Sequence, residues 1–138
     1  MKKSYLIIGL IIIFVGIISF TFSTPSLKGS SDDDTWKVVY KKIKEVEAGG
    51  AWKVSVTQVD DKKVNVKKLE FIENDKVISD RDEFYEGKDI DGTEYSLHPF
   101  SFPDLYYGDA PQKGSSYFVI ILWEDEQGKT HEDKIELK

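Results

Sequence analysis

The sequence predicts an all-β domain, an antiparallel β-sandwich of about seven short strands, preceded by a single N-terminal transmembrane helix. Three observations carry this reading. Residues 5–22 hold no charge and are mostly Leu, Ile, Val and Phe. From position 36 onward, apolar and polar residues alternate with a period of two in one run after another. Clusters of Gly, Pro, Asn and Asp separate these runs about every 8–12 residues, the spacing of a sandwich.

The apolar segment comes first. As a helix its 18 residues rise about 1.5 Å each and span roughly 27 Å, close to the apolar thickness of a bilayer. A cleavable signal has a shorter apolar stretch and ends in a small-residue cleavage site. The best cut here follows Ser23, with Thr21 and Ser23 in the small positions, no Ala at either, and Pro25 just beyond. The chain has no Cys, which excludes an acylated-cysteine anchor. The segment reads as an uncleaved anchor; the alternative is a secreted protein freed by cleavage. Lys2 and Lys3 precede it, while Lys28 and then Asp32, Asp33 and Asp34 follow it. Positive charge stays inside, so the N-terminus is cytoplasmic and the remainder extracytoplasmic. The expected division is an anchor or signal segment at 1–23, a flexible linker at 24–35 and the β-sandwich domain at 36–138. The linker, "STPSLKGSSDDD", is Ser-, Pro-, Gly- and Asp-rich with almost nothing apolar.

The elements then follow in order. Trp36, Val38 and Tyr40 alternate with Lys37, Val39 and Lys41, and the β-branched and aromatic content favours a strand. The same stretch also fits a helix, with Trp36, Val39, Tyr40 and Ile43 at i, i+3, i+4 and i+7. "WKVSV" at 52–56 is strict alternation, so Gly49-Gly50 becomes a hairpin turn. The polar run 60–63 turns the chain. Val64 and Val66 lie in one phase, Leu69 and Phe71 in the other, which places a bulge near Lys67-Lys68. "KVIS" at 76–79 is a short strand. "TEYSLHPF" at 93–100 is a strand that Pro99 ends or confines to an edge. Residues 117–123 form a nearly continuous apolar run, as in a central strand covered on both sides. "DEQGK" turns it, with Gly128 as the left-handed residue, and Ile135 and Leu137 alternate in the returning strand.

Charge narrows the partners. All 25 acidic residues follow position 31, with 16 of the 19 basic ones, leaving the exported part near −9. That argues against nucleic acid. The distribution is uneven: residues 37–68 carry +5 and residues 69–138 carry −11. Two readings stand for the basic half. Its lysines face carboxylates of neighbouring strands, or they form a face that meets lipid headgroups or wall polymers.

The alternating "WKV" and "WKVSV" runs and the closing "VIILWEDEQGKTHEDKIELK" hairpin give the domain a familiar pattern. It resembles small, uncharacterised, membrane-tethered extracytoplasmic proteins of Bacillus-type bacteria with an immunoglobulin-like β-sandwich domain. The resemblance covers residues 36–138 and rests on spaced Trp and apolar residues. It implies the fold and the location and brings no activity or catalytic residues.

Two segments are candidate sites. Residues 95–117 combine three prolines with Phe100, Phe102, Tyr106 and Tyr107. The sequence reads there as a long aromatic loop, suited to binding an envelope protein or wall polymer. The competing reading has Phe100, Phe102 and Leu105 plugging an open end of the sandwich. Residues 80–91 concentrate carboxylates, among them Asp80, Asp82, Asp89 and Asp91. Such oxygen ligands suit Ca²⁺ at an extracellular affinity, although Phe84 breaks EF-hand spacing. His98 and His131 read as rim or surface residues, with His131 turned to water. No nucleophile motif occurs, and with no Cys and scattered acids the chain reads as no enzyme and needs no cofactor. The expected function is a non-enzymatic interaction module at the cell membrane; the alternative is an extracytoplasmic calcium or small-molecule sensor.

Overall fold

A computed structural model describes residues 24–43, 50–88 and 92–138. The expected membrane helix, the expected glycine of the first hairpin turn (Gly49) and the acids Asp89 and Asp91 lie outside these residues. The described chain is all-β. Ten strands run in order: β1 (Leu27–Ser30), β2 (Trp36–Lys42), β3 (Trp52–Gln58), β4 (Asn65–Glu73), β5 (Lys76–Arg81), β6 (Gly87–Lys88), β7 (Glu94–Leu97), β8 (Phe100–Gly108), β9 (Tyr117–Glu124) and β10 (Thr130–Glu136). They form two antiparallel sheets, ordered β1-β2-β3-β8-β7-β6 and β10-β9-β4-β5.

The period-two alternation drives this architecture. Each strand turns every second side chain inward, and two apolar faces bury each other. Trp36, Val38 and Tyr40 of β2, Val54 and Val56 of β3, Leu69 and Phe71 of β4, and Val119 and Ile121 of β9 all lie in this core. Rings meet edge to face, as Trp36 does with Phe100 at 5.8 Å and with Trp123 at 6.0 Å. The helical alternative for the first segment fails over residues 36–42, which are strand β2. The expected bulge in β4 is present: Val66 faces Trp123 and Lys68 faces Leu122, with Lys67 left over.

Two expectations are corrected. The segment expected to be a linker contains β1. Leu27 pairs with Tyr40, Gly29 with Val38, and Leu27 packs on the core. Lys28 and Lys138 exchange backbone hydrogen bonds at 3.0 and 2.9 Å, so β1 joins the end of the chain and stitches the two sheets together. Gly29 makes the crossing feasible. A Cβ there would lie 2.4 Å from the Glu136 carbonyl oxygen and 2.6 Å from Ile135 Cγ2.

The expected aromatic loop is mostly strand. Phe100–Gly108 is β8, a nine-residue strand between β3 and β7. Pro103 fits because the strand bulges around it. Val54 faces Tyr106 and Val56 faces Phe102, so residues 103–105 oppose Ser55 alone. Ser55 Oγ donates to the Pro103 carbonyl at 2.8 Å, and a proline at a bulge forfeits no ladder bond. After β8, Tyr117 opens β9, and its hydroxyl accepts a hydrogen bond from Gln112 N at 2.7 Å.

The strands define two poles. At one lie Leu27, the β8–β9 loop and the C-terminal Lys138. At the other lie the β1–β2, β3–β4, β7–β8 and β9–β10 turns.

Candidate functional site

On the larger sheet, the side chains between the core residues point outward. Register brings them together across strands. Ser30 faces Lys37, Lys28 faces Val39, Lys37 faces Thr57, Lys41 faces Lys53, Lys53 faces Tyr107, and Thr57 faces Ser101. The result is a face of four lysines and several hydroxyls, with one exposed aromatic ring and no acid on the outward positions of β1, β2 or β3. A shallow cleft of about 410 Å³ runs over it, lined by Lys37, Lys41, Lys53, Ser55, Thr57 and Ser101, among others.

Pairing separates these lysines from those at 62–68. Lys62 meets Asp60 at 3.4 Å, Lys63 meets Glu126 at 3.9 Å, Lys67 meets Glu124 at 3.7 Å and Lys68 meets Glu70 at 3.5 Å. Among the described residues no carboxylate lies within 4.0 Å of Lys28, Lys37, Lys41 or Lys53. Lys41 directly opposite Lys53 is a like-charge pair, which weakens a sheet. At the rim, Asp104 shares a small recess with Lys53 and Tyr107 and accepts a hydrogen bond from Tyr95 Oη at 2.7 Å. Carboxylates at the end of β9 and in its turn thus face Lys63 and Lys67, while Lys28, Lys37, Lys41 and Lys53 form a face without such partners among the described residues.

The four expected aromatic site residues are divided in the same way. Phe100 and Phe102 are core residues, 2% and 4% exposed, and cannot form a surface loop. They fill the interior, as the competing reading held, together with the fully buried Leu105. Tyr106 is half-buried; its ring lies 5.0 Å from that of Phe71 and its hydroxyl accepts from Asp109 N. Tyr107 alone is exposed, at 60%, beside Lys53.

The acidic segment holds no assembled cation site among the described residues. Asp80 belongs to β5 and Asp82 follows its end. Asp82 lines a 290 Å³ cleft with Phe84, His98 and Lys67. Phe84 closes the sandwich there, packing edge-on against Phe100 and Phe102 at 5.3 and 5.5 Å.

His131 is also corrected: it does not point to water. It lies on the inward side of β10, stacked on Trp123 at 4.3 Å, with Nε2 2.8 Å from Asp125 Oδ2. That contact comes first in holding the Asp125 carboxyl below its ordinary range, followed by the Lys129 backbone N–H.

Sequence reasoning missed a hydrogen-bonded platform at this pole. The buried Gln58 donates from Nε2 to Asp60 Oδ1 and to the Lys62 carbonyl, and accepts from Phe100 N. Thr35 Oγ1 donates to Asp60 Oδ2. Burial raises the Asp60 carboxyl, but these bonds outweigh it and hold it below the usual carboxylate value. Asp33 behaves alike: burial opposes, and donors Ser31 Oγ and Thr35 N prevail. A lone Gln at the end of an alternating strand was the available signal, because its polar side chain takes a core phase. Comparison with protein-family models, curated proteins and solved structures gave no match to this chain.

Proposed function

We propose that this chain is a non-enzymatic, membrane-tethered extracytoplasmic module that binds an anionic polymer of the cell envelope through its lysine face. The observation that carries the reading is the row Lys28, Lys37, Lys41 and Lys53, unpaired by acids among the described residues, in a chain of net charge −6. Evenly spread cations, neighbouring hydroxyls and an exposed tyrosine suit a chain of phosphodiester or carboxylate groups. The fold reading is immunoglobulin-like. Its support is the order β2-β3-β8-β7 on one sheet and β10-β9-β4 on the other, the pattern of that sandwich. The hydrogen bond from Gln112 N to the hydroxyl of Tyr117 resembles the corner tyrosine of the same class.

The tether reading rests on residues 5–22 and on their charge flanks. Because β1 begins at Leu27, only residues 23–26 separate it from the apolar segment. Fully extended, that link reaches at most about 17 Å. The Leu27 pole would then sit at the membrane face, with the lysine face rising beside it.

The test uses the full chain in detergent micelles and a poly(glycerol phosphate) probe, with neutral dextran as control. Retention on the polyphosphate, weakening as salt rises, is expected. The triple variant K37E/K41E/K53E should lose it, and K62E/K63E/K67E should keep it. Equal behaviour of the two triples, or no retention of the parent, refutes the assignment.

A further inference from the structure

The outer face of the smaller sheet carries an apolar stripe. On β9, Tyr117, Val119, Ile121 and Trp123 are buried inward, while Phe118, Ile120 and Leu122 point outward and are half-buried. The apolar run thus lies on a strand that is central in its sheet, but its outer half is uncovered by any layer of described residues. Register sets charges on both sides. Leu122 lies between Glu132 of β10 and Lys68 of β4, and Ile120 lies between Lys134 and Glu70. Phe118 lies between Glu136 and Ile72. The first row therefore reads minus, apolar, plus; the second reads plus, apolar, minus.

We infer that this face is a self-association surface, in which two copies pack stripe against stripe about a two-fold axis parallel to the strands. Rotation about that axis exchanges the flanks. Glu132 of each copy then meets the partner subunit's Lys68, and Lys134 meets the partner subunit's Glu70. Four opposite-charge pairs bracket an apolar centre of Phe118, Ile120 and Leu122, the anatomy of a stable interface. The other in-plane axis, across the strands, sets Lys134 on Lys134 and Glu132 on Glu136, like charge on like. In a single copy Lys68 Nζ turns to Glu70 Oε1 at 3.5 Å, Lys138 Nζ to Glu136 Oε2 at 3.5 Å, and Lys134 Nζ lies 4.5 Å from the Phe118 ring centroid. Association replaces the Lys68 and Lys134 contacts with cross-copy ones. The strand-parallel axis also keeps both Leu27 poles on one side, which lets two tethers enter one membrane.

The chain has no cysteine, so single introduced cysteines report contacts directly. In the full chain in micelles, mild oxidation should crosslink Ile120→Cys into a disulfide dimer and leave Thr57→Cys, on the opposite face, monomeric. Lys134→Glu sets like charges across the interface and should weaken the dimer about tenfold or more. Adding Glu70→Lys to it should restore the dimer. Circular-dichroism melts confirm that each variant is folded. The inference is overturned by a monomeric parent chain, by equal crosslinking at positions 120 and 57, or by a dimer indifferent to Lys134→Glu. A dimer held by the anchor segment alone would give that last result.

Discussion

Lys53 of β3 and Tyr107 of β8 lie directly opposite each other, and both point away from the core. Two residues 54 positions apart, one from the basic half and one from the aromatic segment, thus meet on a single face. Their neighbours in sequence, Val54 and Tyr106, form the next pair in the register and turn to the interior.

This alternation separates binding from stability within one strand. Tyr107→Ala should change the denaturation free energy by less than about 0.5 kcal/mol, as an exposed side chain does. The same variant should bind the anionic polymer several-fold more weakly. Phe102→Ala removes a ring 4% exposed and should cost about 3–5 kcal/mol. Urea titrations beside polymer retention read both.

At Gly29 the backbone leaves no room. Gly29→Ala should destabilise the domain by about 1–3 kcal/mol, because its Cβ collides with a main-chain oxygen rather than a movable side chain. Amide exchange at Lys28 and Lys138 should accelerate more than at Val119. Uniform acceleration at all three would show that β1 does not open separately.

The lowered Asp33 and Asp60 carboxyls give an acid-side dependence. A depressed folded-state value contributes stability above the ordinary carboxylate pKa, and that contribution is lost as pH falls through the folded value. The melting midpoint should therefore drop below about pH 4. Asp60→Asn should flatten part of that drop. Burial raises Tyr40 and Tyr117, with the opposite consequence. Their contribution is full below the ordinary tyrosine value of about 10 and fades as pH rises past it.

Millimolar Ca²⁺ tests the sensor reading of the acidic segment, because binding to the folded chain must raise its melting midpoint. A rise in midpoint that Asp80→Asn/Asp82→Asn abolishes would support that reading, and no rise would remove it.

Features that depend on neighbours along the chain were legible in the residues alone. Alternation at 36–42 and 52–58 and the apolar run at 117–123 mark strands, the change of phase between Val66 and Leu69 marks a bulge, and Gly128 marks a turn with φ of 78°. Each signal is local, because the pleat and the turn are properties of a few adjacent residues. Tertiary structure decided what depends on distant partners. Residues 27–30, Leu-Lys-Gly-Ser, became a strand because β2 and Lys138 offer them hydrogen bonds from both sides. A proline-rich aromatic segment became an interior strand because a bulge opposite Ser55 absorbs Pro103. Alternation states which side chains share a face, but not what the face meets. Only the packing of the sheets distinguished Phe102 from Tyr107, and only register told the paired lysines from the unpaired ones. Pairing across a sheet is set by the whole topology, which no local pattern encodes.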